Sequence, residues 1–224
     1  MNAGDLEAVV LTLRLATVVT VLLLLLGVPL AWWLARTRSR AEPVVAALVA
    51  LPLVLPPTVL GFYLLLALGP DGPVGQVTQR LGIGLLPFTF GGLVVGALCH
   101  SLPFVVQPLR TAFEAVGDRP LEVAATLGAG PWDRFFRIAL PLSAPGVVAA
   151  AVIGFAHTIG EFGVVLMLGG NVPGATRVLS MAVYDHVEAL EYPEARALSG
   201  ALLAFSFLML VAVYWLGRRR VRQP

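Results

Sequence analysis

The chain has 224 residues, of which 58% are hydrophobic and 12% charged, with a formal net charge of +2. A soluble domain carries about a quarter charged residues, so this balance excludes one and marks an integral membrane protein. All 15 basic residues are arginine, and without a lysine the phosphate loop G-x-x-x-x-G-K-[ST] cannot be written; ATP chemistry, if there is any, belongs to another subunit. The single cysteine, Cys99, excludes an internal disulfide and argues against a thiolate metal site.

The first apolar run, residues 11–34, is long enough to span a bilayer, which takes about 20 residues. Asp5 and Glu7 precede it and Arg36, Arg38 and Arg40 follow, the reverse of a secretory signal, so a retained span with its N-terminus outside is expected. Trp32 and Trp33 fall where an interfacial belt would sit, and Arg14 is placed to snorkel to the outer headgroups. A second run, 44–68, carries LPLVLPPTVLGFYLLL. Its Pro52, Pro56 and Pro57 each remove a backbone donor, which membranes tolerate only beside protein or water, so one kinked span against a pathway is predicted.

Residues 69–87, rich in Gly and Pro, read as an external loop. The third span, 88–109, contains Gly92-x-x-x-Gly96, a close-packing motif. His100, Pro103 and Gln107 recur at steps of three and four, and polar atoms on such a face are expected to point into the bundle. A fourth span, 144–168, holds His157, Thr158 and Gly160-Glu161-Phe162-Gly163. His157 and Glu161 lie four apart, one helical turn, and are candidates to pair; with no third ligand evident, no metal site is expected there. An external segment, 169–193, and a fifth span, 197–216, complete the chain, which ends in Arg218, Arg219, Arg220 and Arg222. This topology puts those four inside with Arg36, Arg38, Arg40, Arg110, Arg119, Arg134 and Arg137, against Arg14, Arg80, Arg177 and Arg196 outside. The positive-inside bias is thereby met with the N-terminus out and the C-terminus in.

Between the third and fourth spans lies a polar island, EVAATLGAGPWDRFFRIALP, residues 122–141. Its expected structure is two short helices and a turn. Leu121 to Leu127 reads as helix, Gly128 suits a left-handed C-terminal cap, and Pro131 opens the second helix with Asp133 in its first turn. Ala124 and Ala125 leave one face nearly bare, whereas Trp132, Phe135 and Phe136 make an aromatic plug.

The spacing of Glu122, Ala124, Gly128, Ile138, Leu140 and Pro141 resembles the EAA loop of the membrane subunits of ABC importers, with Val123 where an alanine is usual. Together with LPLVLPP, GEFG and NVPGATR, it makes nearly the whole chain similar to molybdate-type permeases, whose close relatives carry sulfate, thiosulfate or tungstate. The resemblance implies an all-α membrane protein of about five transmembrane helices with the type I ABC importer permease fold, in a bacterial inner membrane. It implies a single domain over 1–224 with a cytoplasmic coupling loop at about 114–143. It further implies a homodimer, driven by cytoplasmic ATPase subunits that engage Glu122, Ala124, Ala125, Gly128, Pro131, Trp132, Phe135, Ile138, Leu140 and Pro141. An external oxyanion-binding protein would touch Asn171, Pro173, Gly174, Thr176 and Arg177, and the pathway or gate would include Pro56, Pro57, His100, Gln107, His157 and Glu161. His157 stands where the family pattern has Arg, and Ala175 where it has an acid. No catalytic residue, resident metal, cofactor or nucleic acid is expected. A secondary transporter is the main alternative, since its helices are also interrupted, but it would show two related halves and no internal repeat is found. Neither H-E-x-x-H nor G-x-S-x-G occurs, which argues against an intramembrane enzyme.

Overall fold

Helix α1 (Ala3–Arg36) sets the frame for the rest. Among its buried residues Asp5, Ala8, Thr12, Leu15, Val19, Leu23, Gly27, Ala31 and Leu34 follow one another at steps of three or four, with Ala16 and Thr20 beside them widening the stripe. That stripe packs on α5 (Phe90–Ala115) and α9 (Ala144–Ile159). The computed structural model describes residues 3–221, and side chains as far as residue 211; Arg222 and the side chains of Arg218, Arg219 and Arg220 lie outside that description. Every regular element among the described residues is helical.

Helix α5 is the hub, and small residues let its neighbours close on it. A Cβ on Gly154 of α9 would sit 2.4 Å from Val105, and one on Gly96 of α5 would sit 2.5 Å from Leu168. The Gly92-x-x-x-Gly96 pair therefore serves two contacts. Gly96 admits α10 (Gly163–Gly169), while Gly92 faces the carbonyl of Leu86 in its own preceding loop, 2.3 Å from where its Cβ would be.

The second predicted span is not one kinked helix. It divides into α2 (Glu42–Val54) and α3 (Pro57–Leu68), bent by 115°. The residue before a proline is pushed out of the helical region, and Leu55 and Pro56 both precede one, so both adopt ψ of 135°. Two consecutive extended residues break the helix, and Pro57 then starts the next one where its missing N–H costs nothing. The fourth predicted span, 144–168, is also broken: α9 ends at Ile159 and α10 starts at Gly163. Among the described residues three helices are long and apolar enough to cross a membrane, and two bent pairs, Glu42–Val54 with Pro57–Leu68 and Pro131–Leu142 with Ala144–Ile159, bring the number to as many as five. The total agrees with the five predicted, but the last pair takes in the end of the polar island and not α10. Two further helices lie in segments read as loops, α4 (Pro73–Arg80) and α11 (Leu179–Glu188). The last helix, α12 (Tyr192–Val221), leans on α9 and α11 and leaves Leu203, Phe207 and Leu208 exposed.

At one end of the bundle, α1 is tied to the start of the polar island. The Arg36 guanidinium pairs with Asp118 and donates to the carbonyls of Phe113 (3.2 Å) and Gly117 (2.9 Å). Arg110 bridges Glu42 at 2.9 Å and Glu114 at 2.8 Å. Trp32, expected in an interfacial belt, packs edge-on against Phe113 at 5.3 Å and beside Phe135 at 5.2 Å. Arg14, expected to snorkel, lies over the Phe90 ring at 4.6 Å.

At the other end, α11 is pinned to α1. Thr12 Oγ1 accepts from the Leu179 N–H at 2.8 Å, and buried His186 contacts Asp5 at 2.9 Å through Nε2 and Glu191 at 2.6 Å through Nδ1. Hydrogen bonds to these two carboxylates, Asp5 first, raise the His186 pKa above its ordinary value. A raised folded-state pKa gives stability that is fully present below the unfolded value, about 6.5, and is lost as pH climbs through the folded one. The melting temperature of the purified protein should therefore fall between mildly acidic and alkaline pH, and His186→Gln should flatten that slope. An equal slope in the variant would remove His186 from this role.

Candidate functional site

The two broken helices meet. A Cβ on Gly163, the first residue of α10, would lie 2.7 Å from Pro57 Cβ, the first residue of α3, so both breaks abut at one level of the bundle. A cavity of 530 Å³ opens there, lined by Pro57, Thr58, His100, Ala156, His157, Gly160, Glu161, Phe162 and Gly163. Irregular backbone inside a membrane bundle persists where it lines such a cavity.

Glu161 organises the junction. Its Oε1 accepts the Val164 N–H at 3.1 Å, capping the start of α10, and its Oε2 is hydrogen-bonded to His100 Nδ1 of α5. Its backbone carbonyl accepts from Ser180 Oγ of α11 at 2.6 Å. The expected His157–Glu161 pairing is thus replaced. The helix that would have put them on one face stops at Ile159, and His157 Nδ1 bonds Ser101 Oγ at 3.0 Å, with Phe104 stacked on its ring at 3.7 Å. Ser101 also meets Thr158 Oγ1 at 3.2 Å. His100 was legible from its place on a polar face, but Ser101 and Thr58 gave no signal beyond being polar in an apolar run.

Of the other residues expected in a pathway, Pro57 lines the cavity and Pro56 forms the break beside it. Gln107 does not reach it: seven residues on from His100, it is exposed on α5 and absent from the lining.

The polar island folds as α6 (Arg119–Thr126), a turn, and α7 (Pro131–Arg134), which runs through a π-helical turn at Phe135–Ala139 into α8 (Leu140–Leu142). Gly128 takes φ of 86°, the left-handed cap expected, and Pro131 is the first residue of α7. The π turn has a cause in Pro141, which has no N–H for the carbonyl of Arg137 and whose ring would crowd it; widening the turn relieves both. The aromatic group divides. Phe135 packs inward on Trp32 and Phe113, whereas Trp132 and Phe136 are 76% and 56% exposed and stack on each other at 5.9 Å. Ala124 is buried, while Glu122, Ala125, Leu127, Gly128, Pro131 and Pro141 are exposed, and Ile138 and Leu140 are half-buried. A helix–turn–helix that keeps Val123, Leu127, Trp132 and Phe136 on its surface offers an apolar contact face.

At the opposite end, residues 169–177 wrap around Thr176, whose hydroxyl donates to the Gly169 carbonyl at 2.6 Å and accepts from the Val172 N–H at 3.0 Å. Thr176 is fully buried, so it shapes this loop from within. Asn171 donates a hydrogen bond to Asp185 of α11 at 2.8 Å and Arg177 forms an ion pair with it at 2.9 Å, while residues 172–175, with Pro173 and Gly174 at their centre, form the exposed tip of the loop.

The bundle thus has two broken helices meeting at a cavity that holds His100, His157 and Glu161, and a short helical elbow at one end. Residues 27–222 match the family of binding-protein-dependent transport system inner membrane components, and the chain belongs to that family. It is therefore a multi-pass inner-membrane protein. Over 214 residues it is 64% identical to the molybdenum transport system permease protein ModB of Azotobacter vinelandii, covering 96% of this chain and 95% of that one. It is 34% identical over 214 residues to ModB of Escherichia coli K12, covering 95% and 93%. To the sulfate transport system permease protein CysT of Escherichia coli K12 it is 32% identical over 218 residues, covering 97% and 78%. The fold matches a chain of a bacterial alginate ABC transporter with a TM-score of 0.77 at 18% identity, covering 100% of this chain and 81% of that one. It matches a chain of the MetNI methionine ABC transporter with a TM-score of 0.74 at 18% identity, covering 98% and 99%.

Proposed function

We propose that this chain is the membrane-spanning subunit of an ATP-driven importer that carries molybdate inward, with sulfate, thiosulfate or tungstate as the neighbouring choices of oxyanion. Two copies form the pathway, the N-terminus lies outside and the C-terminus inside, and the chain is not an enzyme by itself. The reading is carried by the 64% identity to a molybdenum permease along almost the entire chain. The lysine-free sequence supports a separate motor, and the exposed elbow of α6 and α7 is the place for it to act.

The task requires a motor. Moving a dianion inward against an inside-negative potential costs about 2.3 kcal/mol per charge per 100 mV, roughly 4.6 for two charges, before any concentration gradient. The cavity where the helices break holds no arginine or lysine to retain such an anion, and the Glu161 carboxylate there is occupied by His100 and the Val164 N–H. Contact in the pathway is accordingly weak and transient, and selectivity lies mainly with the external binding protein. That protein meets the tip at Pro173 and Gly174, next to a second hollow that also holds Arg14 and Arg177.

Vesicles reconstituted with this chain, its ATPase and the binding protein should accumulate labelled molybdate only when ATP is present, with tungstate competing more strongly than sulfate. Accumulation without the ATPase would reject the motor, and preferential uptake of sulfate would reassign the cargo.

A further inference from the structure

His100, His157 and Glu161 each offer one ligand atom, and the three atoms lie within 4.8 Å of one another. They come from three separate pieces of chain: α5, α9 and the break before α10. We infer that these side chains form a binding site for a divalent transition-metal ion of the zinc class, and that filling it locks the junction of the broken helices.

The donor set decides the class of ion. Two imidazoles and one carboxylate suit zinc, cobalt or nickel, whereas magnesium and calcium call for oxygen ligands throughout. Zinc bonds to nitrogen and oxygen are about 2.0–2.2 Å long, which places tetrahedral ligands roughly 3.3–3.6 Å apart. His100 Nδ1 and Glu161 Oε2, now in direct hydrogen-bond contact, therefore have to part by about an ångström and His157 has to draw in by a similar amount, and the irregular backbone between α9 and α10 that carries Glu161 is where that movement is available. His100 Nδ1 and Glu161 Oε2 already face each other, so once they part a cation displaces the proton they share.

His157 is already steadied for ligation. Its Nδ1 is held by Ser101, which is itself bonded to Thr158, and Phe104 stacks on the ring, so Nε2 is the nitrogen that would ligate an ion. Ligating histidines are usually oriented by just such a bond at the other ring nitrogen. All three residues line the same cavity, so a fourth position remains for water.

The site cross-links α5 to both sides of the break. Its consequence, arrest of uptake, rests on the transport reading above; the site itself does not. The test uses the permease–ATPase complex, purified without a histidine tag and titrated with Co²⁺. Wild type should bind one ion per permease chain with the intense visible absorption of a tetrahedral site. His157→Gln and Glu161→Gln should each weaken binding at least tenfold, Ser101→Ala should weaken it severalfold, and His157→Cys should restore binding with a thiolate charge-transfer band. His157→Cys also guards against a mere folding defect. An octahedral spectrum, no retained ion, or retention unchanged by these substitutions would overturn the site. Zn²⁺ should then inhibit vesicle uptake by wild type at least tenfold more potently than uptake by His157→Gln. Tetrahedral binding without any uptake would leave the site standing and sink the transport reading, whereas uptake with no bound ion would do the reverse.

Discussion

Glu122→Arg and Gly128→Pro are each expected to cut ATP-driven uptake at least tenfold while leaving the protein inserted in the membrane. Gly128 sits at φ of 86° between α6 and α7, and its N–H donates to the Ala125 carbonyl at 3.0 Å. Proline is held near −65° and has no N–H, so the turn must be rebuilt and the angle between the two helices lost. Glu122 is exposed in the first turn of α6, where a carboxylate complements the helix dipole. Arginine there reverses the charge offered to a partner without touching the core. Co-purification of the ATPase should fall in parallel with uptake in both variants. Arg80→Ala, at an exposed residue of α4 outside the elbow, should leave both near wild type. Full uptake and full co-purification in Glu122→Arg and Gly128→Pro would show that the motor grips elsewhere.

The second large effect belongs to Glu161. Glu161→Ala leaves the Val164 N–H and His100 without their partner, and each unsatisfied buried group costs about 1–3 kcal/mol. Uptake should drop at least tenfold and the melting temperature by several degrees. Glu161→Gln keeps an acceptor for Val164 and presents an amide N–H₂ to His100 Nδ1, so every hydrogen bond survives and only the charge is gone. Its uptake should stay within about threefold of wild type, because an ATP-driven pathway for anions has no need of a fixed negative charge at this point. Should the glutamine variant be as impaired as the alanine one, the charge itself is used, and the capping account of Glu161 fails.

How far the structure could be read from the chain depended on the distance over which each feature is determined. The Leu55-Pro56-Pro57 break follows from two adjacent residues, and what the sequence left open was its size, 115° rather than a kink. The elbow was legible down to the Gly128 cap and the Pro131 start because capping is set within a few residues. The Glu161 partner was not. Pairing His157 with Glu161 assumed a continuous helix through Gly160, and that helix stops at Ile159; the actual partner, His100, is 61 residues away, a separation no local pattern encodes. Helix α11 did carry a signal, with Leu179, Ala182 and His186 buried at steps of three and four, but the glycines and prolines just before it masked the period. Thr176 was expected as a contact from the resemblance carried by NVPGATR, and only three dimensions reveal that its side chain is buried as the peg around which that stretch is wound.

The hydroxyl of Ser180 reaches from α11 to the backbone of Glu161. Because α11 is also fastened to α1 through Thr12 and Asp5, a displacement of it has little slack to take up before it arrives at the seam. One serine therefore works as a tie rod, by which a shift of α11 reaches the innermost weak point without deforming the helices that carry the load.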